Sequence, residues 1–293
     1  MLHKAAKGTD VAVVNELIAA KANVDHQRNV RRDRTSTPSL THSHTHSLAH
    51  ALVMEFFKDG RAPLHMVIRE EIADVLIQAK ANVNVQQDDG ATPLFVAAEH
   101  NLLPVAQKLL ACDANPCLTL EVRIPLLERR TVMASTLSHG MPTHLALSLS
   151  QDGATPFFVA CQFDYRDMAE LLMSDTRIIN QPRNDGASPL YIACHAAHRA
   201  VAQLLLLNSA DVNKCLKDTN VGPLYITAQN GVPELLTQLI EAKANVNETT
   251  SLGIAPLHMA CLRGTLSKVK ALVEGRANVN QVIDEDKSTP LLI

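Results

Sequence analysis

Tryptophan is absent from the 293 residues, and aromatic residues make up only 3% of them. That scarcity argues against a base-stacking platform or an aromatic ligand pocket. Charge of one sign is lacking as well: 27 Lys and Arg stand against 30 Asp and Glu, a formal net charge of -3. No global field therefore favours phosphate backbones or anionic lipid, and neither nucleic acid nor membrane is expected as a partner. No run reaches the roughly 18 apolar residues of a spanning helix, and Lys4, Lys7 and Asp10 stand where a leader would need an apolar stretch. Catalytic signatures are missing too, with no G-x-S-x-G, H-E-x-x-H, G-x-x-x-x-G-K-[ST] or G-x-G-x-x-G in the chain. These gaps predict a non-enzymatic, soluble protein of the cytoplasm, with the nucleus as the alternative, that uses no cofactor. What is present is apolar residue, 46% of the chain, enough for a sizeable core.

That apolar content is periodic. Ala62-Pro63-Leu64-His65, Thr92-Pro93-Leu94-Phe95, Thr155-Pro156-Phe157-Phe158, Ser188-Pro189-Leu190-Tyr191, Gly222-Pro223-Leu224-Tyr225, Ala255-Pro256-Leu257-His258 and Thr289-Pro290-Leu291 repeat one frame. Successive prolines are 30, 63, 33, 34, 33 and 34 residues apart. A second marker keeps the beat at Ala22-Asn23-Val24-Asp25, Ala81-Asn82-Val83-Asn84, Ala210-Asp211-Val212-Asn213, Ala244-Asn245-Val246-Asn247 and Ala277-Asn278-Val279-Asn280. Proline at a first helical position loses no hydrogen bond, and Thr92, Thr155, Ser188 and Thr289 before it can cap. A short apolar helix such as 190–197 and a second such as 200–207 follow. Ala97, Ala98, Ala160, Ala193 and Ala260 let the pair approach closely, and stacking on neighbours buries what one pair cannot. Asp89-Gly90, Asp152-Gly153 and Asp185-Gly186 mark turns just before the prolines.

A period near 33 residues with the T-P-L-H-x-A frame resembles the ankyrin repeat family. The resemblance implies an all-α solenoid of stacked helix pairs with short hairpin loops, here interrupted by two irregular segments. The expected organisation is a partial repeat at 1–25, a His/Ser/Thr-rich insertion with one helix at 26–60, repeats at 61–117, a degenerate repeat or insertion at 118–150, regular repeats at 151–285 and a truncated repeat at 286–293. Two registers stay open for 118–150: Pro125 as a decayed proline beat, or Gly140 to Ala146 as a hairpin and first helix lacking its second helix. Both ends look open, so an imperfect product or a fragment of a longer array is expected, with frayed termini. The 62–84 unit is three residues short, predicting a first helix about one turn short. Lys21, Lys80, Asp113, Ser209, Lys243 and Arg276 occupy the second-helix exit where the family usually has Gly. A left-handed backbone there would cost each of them roughly 1 kcal/mol.

Residue chemistry that suggests other functions has a structural reading beside it. Cys161, Cys194 and Cys261 follow the first-helix Ala in three repeats. Helices about 8 to 10 Å apart keep them beyond bridging distance, so they read as buried small hydrophobes in a reducing compartment. Cys112 and Cys117 lack a second ligand pair, and the tract His42, His44, His46, His50 reads as low complexity, so no metal is expected. Arg28 to Arg34 reads as a solvated loop. The resemblance gives His3, His65 and His258 a structural hydrogen bond near the hairpin. It also places Asn213 and Asn247 in a setting that hydroxylases accept, although a turn-forming role accounts for both.

The expected function is protein binding by one monomeric chain, through hairpin tips and first helices. Tip candidates are Gln87, Asp88, Ala91, Asp152, Ala154, Asn184, Ala187, Asn220 and Val221. First-helix ends add Glu99, His100, Gln162, Phe163, Tyr165, His195, His198, Gln229, Asn230 and Arg263, with Phe163 and Tyr165 as aromatic anchors and packing of Phe163 under its own loop as the alternative. The other functional reading is an array within a larger multidomain enzyme or channel, recruiting substrate or tethering.

Overall fold

The computed structural model describes residues 11, 14, 15, 19, 60–121, 153–173, 176–283 and 287–293, and it divides into two compact units, Met1–Asp152 and Gly153–Ile293. Of the expected insertion at 26–60 only Gly60 is described; the helix expected at its end, the two registers of 118–150, His3 and Lys21 lie outside the described residues. Among those described, every regular element is helical.

In the first unit a 3-10 turn at Pro63–Met66 is followed by α1 (Glu70–Gln78), α2 (Pro93–Glu99) and α3 (Leu103–Ala111). The four-residue turn stands where α2 has seven residues, so the short 62–84 unit loses its first helix to a single tight turn. In the second unit the pairs are α4 (Pro156–Gln162) with α5 (Arg166–Leu172), α6 (Pro189–His195) with α7 (Arg199–Leu207), α8 (Pro223–Asn230) with α9 (Pro233–Glu241), and α10 (Pro256–Leu262) with α11 (Leu266–Glu274). Each first helix packs on its own second helix and on the first helix of the next pair, and the second helices stack likewise. All-α stacking of helix pairs is the architecture of each unit.

Local chemistry sets where each first helix starts. Thr92, Thr155 and Ser188 accept the N–H three residues on at 3.1 to 3.2 Å, which satisfies one of the otherwise unpaired first-turn donors. Where Ala62 and Ala255 leave no hydroxyl, His65 and His258 turn Nδ1 back to accept the Ala62 and Ala255 N–H at 3.0 and 3.1 Å. The expected structural role of both histidines is met. Between stacked first helices lie Ala98, Cys161, Cys194 and Ala228, none of them measurably exposed. Cys261 departs from the expectation: it is half-buried rather than buried, because within the described residues no further helix pair covers α10.

The missing glycines at the second-helix exits leave their mark on the backbone. Lys80, Asp113, Ser209, Lys243 and Arg276 all have φ between 62° and 70°. Each exit still closes: Ala81, Ala114, Ala210, Ala244 and Ala277 donate back to the helix at 2.9 to 3.0 Å, so the turn geometry is kept and the side chain bears the strain. Lys243→Gly or Arg276→Gly should therefore raise unfolding stability by about 1 kcal/mol. Urea denaturation checks this, and an unchanged or lower midpoint would show the strain to be relieved elsewhere.

Candidate functional site

The hairpins come first, since they carry the tip candidates. Gln87 N–H donates to Ala91 O at 2.9 Å, Arg183 N–H to Ala187 O at 2.9 Å and Thr250 N–H to Ile254 O at 3.0 Å, closing three similar loops. Adjacent tips are joined as well: Glu121 N–H reaches Asp89 O at 2.8 Å, Lys217 N–H reaches Asp185 O at 3.1 Å and Ser251 N–H reaches Thr219 O at 2.9 Å. Gly90 and Gly186 sit at φ 86° and 94°, and a Cβ on them would lie 2.6 and 2.8 Å from the neighbouring tip's amide nitrogen. Glycine is thus required both by conformation and by close approach.

This closure corrects part of the tip expectation. Ala91, Ala154, Ala187 and Gln87 are buried because their backbone or side chain folds inward to complete the hairpin, so they offer no contact surface. Asp88, Asn184 and Asn220 are exposed and Val221 is half-buried; Asp152 lies outside the described residues. Asn220 itself bonds the next loop, Nδ2 to Thr249 O at 2.7 Å. At one of these tips the charges are engaged locally. Arg183 pairs with Asp185 through Nε at 3.0 Å and through a second, closer contact, and its guanidinium lies 5.4 Å from the Phe158 ring centre. Burial opposes ionisation of Asp185, yet the Arg183 pair and the Ala187 N–H outweigh it and hold the carboxyl below its ordinary range.

The first-helix candidates fall into two groups. His100, His195, Asn230 and Arg263 are exposed, while Glu99, Gln162, Phe163, Tyr165, His198 and Gln229 are half-buried. The Phe163 and Tyr165 rings lie 5.8 Å apart, so the two expected anchors form one small aromatic ledge. His198 is committed to the fold: Nε2 lies 3.0 Å from Gln162 O, and Nδ1 lies 3.9 Å from the Asp164 carboxylate. Reasoning from sequence missed Tyr191 and Tyr225, which hold the position occupied by His65 and His258 in other repeats. Tyr191 stacks on His195 at 6.2 Å, and burial raises both phenols above their ordinary value. The signal was available as an aromatic in place of the Leu-His histidine.

Asparagine also does more than turn the chain. Asn84 Oδ1 accepts Asn115 N–H at 2.7 Å, Asn180 accepts Asp211 N–H at 2.7 Å, Asn213 accepts Asn245 N–H at 2.8 Å and Asn247 accepts Asn278 N–H at 2.7 Å. These side chains bridge one repeat to the next, and the preceding Asn82, Asn115, Asp211, Asn245 and Asn278 positions hold the loop. Asn180 was not legible as a member because it follows Ile178-Ile179 rather than the Ala-Asn-Val frame.

Three of the thiols are held strongly toward the protonated form. All six cysteines are free; burial drives the Cys161 thiol far up and the Cys194 thiol up to about 12, and desolvation and the Glu248 carboxylate push Cys215 to about 12. Among the described residues no His, Cys, Asp or Glu cluster has the makings of a metal site.

A family model described as ankyrin repeats matches residues 2–119, 133–215 and 224–293. The chain belongs to the ankyrin repeat family. Among solved structures, the ankyrin repeat domain of Bcl-3, a member of the IkappaB protein family, superposes with a TM-score of 0.62 at 22% identity, over 80% of this chain and 94% of that one, a likeness of fold. Rabankyrin-5 of Mus musculus and of Homo sapiens are each 26% identical over 198 residues, which is 66% of this chain. The match spans 14% of the length of either Rabankyrin-5 protein. Ankyrin repeat domains are in general non-catalytic modules of protein–protein interaction. Among the described residues no helix is long and apolar enough to cross a membrane.

The buried histidine of the first unit gives this ankyrin array a pH dependence. Desolvation holds His65 below its ordinary value of 6.5, against the pull of its carbonyl contacts, and Nε2–H donates to Ala91 O at 3.1 Å. The unfolded chain therefore binds the proton first, and stability is full above pH 6.5 and falls as pH drops below it toward the folded value. Urea midpoints between pH 7.5 and 5 should decline for the wild type and decline less for His65→Gln; equal slopes would remove His65 as the source.

Proposed function

We propose that the chain is a non-catalytic binding protein that holds a protein partner against its hairpin tips and first helices. The observation that carries this reading is the solvent-facing row on successive packed first helices, where exposed His195 and Asn230 stand beside half-buried Tyr225 and Gln229. Asp88, Glu99, His100, Phe163, Tyr165, His195, Gln229, Asn230 and Arg263 are the proposed contacts. His198 contributes by fixing the Gln162 end of α4. The proposed setting is the cytoplasm or nucleus, in keeping with six free thiols, and the proposed state is a monomer.

A second reading has the array serve a larger protein as a recruiting or tethering segment. The short share of Rabankyrin-5 that it matches favours it.

Site-specific photocrosslinking in cells tests the face. Probes at Asn184, His195 and Asn230 should capture the same partner band, and probes at the exposed second-helix residues Glu170 and Lys270 should not. Capture from the second helices alone would move the binding surface to the opposite side. Tyr165→Ala should weaken the captured complex about tenfold with an unchanged melting temperature, whereas His198→Ala should lower the melting temperature as well.

A further inference from the structure

The connection between α8 and α9 is built differently from those of α2–α3, α4–α5, α6–α7 and α10–α11. In those four pairs the residue eight places after the opening proline is left-handed: Asn101, Asp164, Ala197 and Gly264 have φ between 54° and 62°. The N–H of Asn101, Ala197 and Gly264 returns to Ala98, Cys194 and Cys261 O at 2.9 to 3.2 Å. The N–H of the next residue, Leu102, Tyr165, His198 or Thr265, returns to Ala97, Ala160, Ala193 or Ala260 O at 2.8 to 3.3 Å. Gly231 holds the corresponding place after α8, and glycine takes the left-handed state most readily. It does not do so here: its φ is -80° and its ψ 177°. Its N–H goes to Thr227 O at 2.8 Å, and Val232 N–H has no backbone acceptor among the described residues.

Proline accounts for the departure, and Lys268 fills what it opens. Pro233 starts α9 and has no N–H, whereas Leu103 and Arg166 at that place close their connections onto Asn101 O and Asp164 O at 3.1 and 3.0 Å. The residue before a proline is driven to extended backbone. Val232 accordingly has ψ 149°, against 70° to 92° for Leu102, Tyr165, His198 and Thr265. Ala228 O thereby lacks the loop N–H that Ala98, Cys194 and Cys261 O receive. The donor it has instead is Lys268 Nζ, which reaches it at 2.9 Å from the following helix pair. Lys268 is buried at a place where the other described pairs have an apolar side chain.

We infer that the α8–α9 connection is a two-position hinge, and that Lys268 of the α10–α11 pair holds it in the extended position. With the amine withdrawn, Gly231 turns left-handed as its counterparts do, its N–H moves from Thr227 O to Ala228 O, and Val232 N–H takes Thr227 O. One hydrogen bond is exchanged for another, since Val232 gains an acceptor as Lys268 loses its own. Leaving a buried ammonium unpaired costs far more than leaving an amide on a residue that is 37% exposed, so the seated lysine selects the extended position. Seating of α10–α11 is thereby coupled to the backbone at Asn230 and Val232, both exposed at the end of the preceding first helix.

Amide hydrogen exchange of the full chain tests the hinge, with Val232 N–H as the reporter and circular dichroism to confirm that each variant is folded. Lys268→Met and, independently, Lys268→Leu install side chains that Met168 and Leu235 already place at this position, so both should fold. Either should slow Val232 exchange roughly tenfold, while the amides of α4 to α7 change little and Lys270→Met, at an exposed neighbour, leaves Val232 as in the wild type. The amide couplings of Gly231, which report φ, should move from the extended to the left-handed range in the same two variants. Val232 exchange that stays within about twofold of the wild type in the folded variants overturns the hinge and leaves Pro233 alone in control of the connection. Slowing of Val232 only in step with the amides of α4 to α7, or with Gly231 still extended, overturns it as well, because that is stabilisation of the whole unit.

Discussion

Close approach of neighbouring first helices is the constraint on which each unit depends. A pair of helices of seven to nine residues cannot enclose a core, so its apolar side must be covered by the next pair. Ala98, Cys161, Cys194 and Ala228 are the price of that cover: a larger side chain at any of them would separate the helices and force strain into the packing. The same requirement explains why Cys161 and Cys194 occupy interior positions without forming a bridge. They serve as small apolar fillers, and burial has removed the thiolate chemistry that would otherwise make them reactive.

Apolar stacking fixes neither register nor rotation, and those come from a few polar links. The Asn84, Asn180, Asn213 and Asn247 amides each hold the loop of the following repeat, and the Asp89, Asp185 and Thr219 carbonyls each hold the following tip. One link ties the second-helix exits and the other ties the hairpins, so each helix pair is pinned on both sides of its apolar contact. The strained left-handed exits survive in this frame because the inter-repeat bonds need the exit carbonyls turned toward the preceding loop: Asn84 Nδ2 donates to Asp113 O, and Asn180 Nδ2 to Ser209 O.

The architecture was legible because it rests on residues whose physical role is local. Pro at a first helical position, a hydroxyl before it and Asp-Gly at the turn each announce a backbone state without reference to anything distant. The shortened 62–84 helix and the left-handed Lys80, Ser209 and Arg276 could be read for the same reason. What escaped were roles assigned by contact between repeats. Ala91, Ala154 and Ala187 sit beside the tips in sequence but fold beneath them, and His198 looks like a free surface group until Gln162 O is found 3.0 Å away. Tyr191 and Tyr225 were visible as departures from a pattern, yet that Tyr191 is buried and Tyr225 half-buried depends on how the neighbouring helix sits.

Lys268 shows how far stacking tolerates an exception. It occupies the second-helix position held by Val105, Met168, Val201 and Leu235 in the other repeats, and like them it is buried. Its Nζ donates to Ala228 O at 2.9 Å across the repeat boundary, and desolvation, with Arg263 adding repulsion, lowers its affinity for the proton. No carboxylate ion pair is found for it among the described residues, so the compensation is the carbonyl at the C-terminal end of α8, where the aligned peptide dipoles favour a cation. A buried lysine held in this way binds its repeat to the preceding one more by geometry than by energy, since an apolar residue of similar volume would be as favourable or better. The boundary between the α8–α9 and α10–α11 pairs therefore carries one buried polar contact at a position where the other described pairs place an apolar side chain.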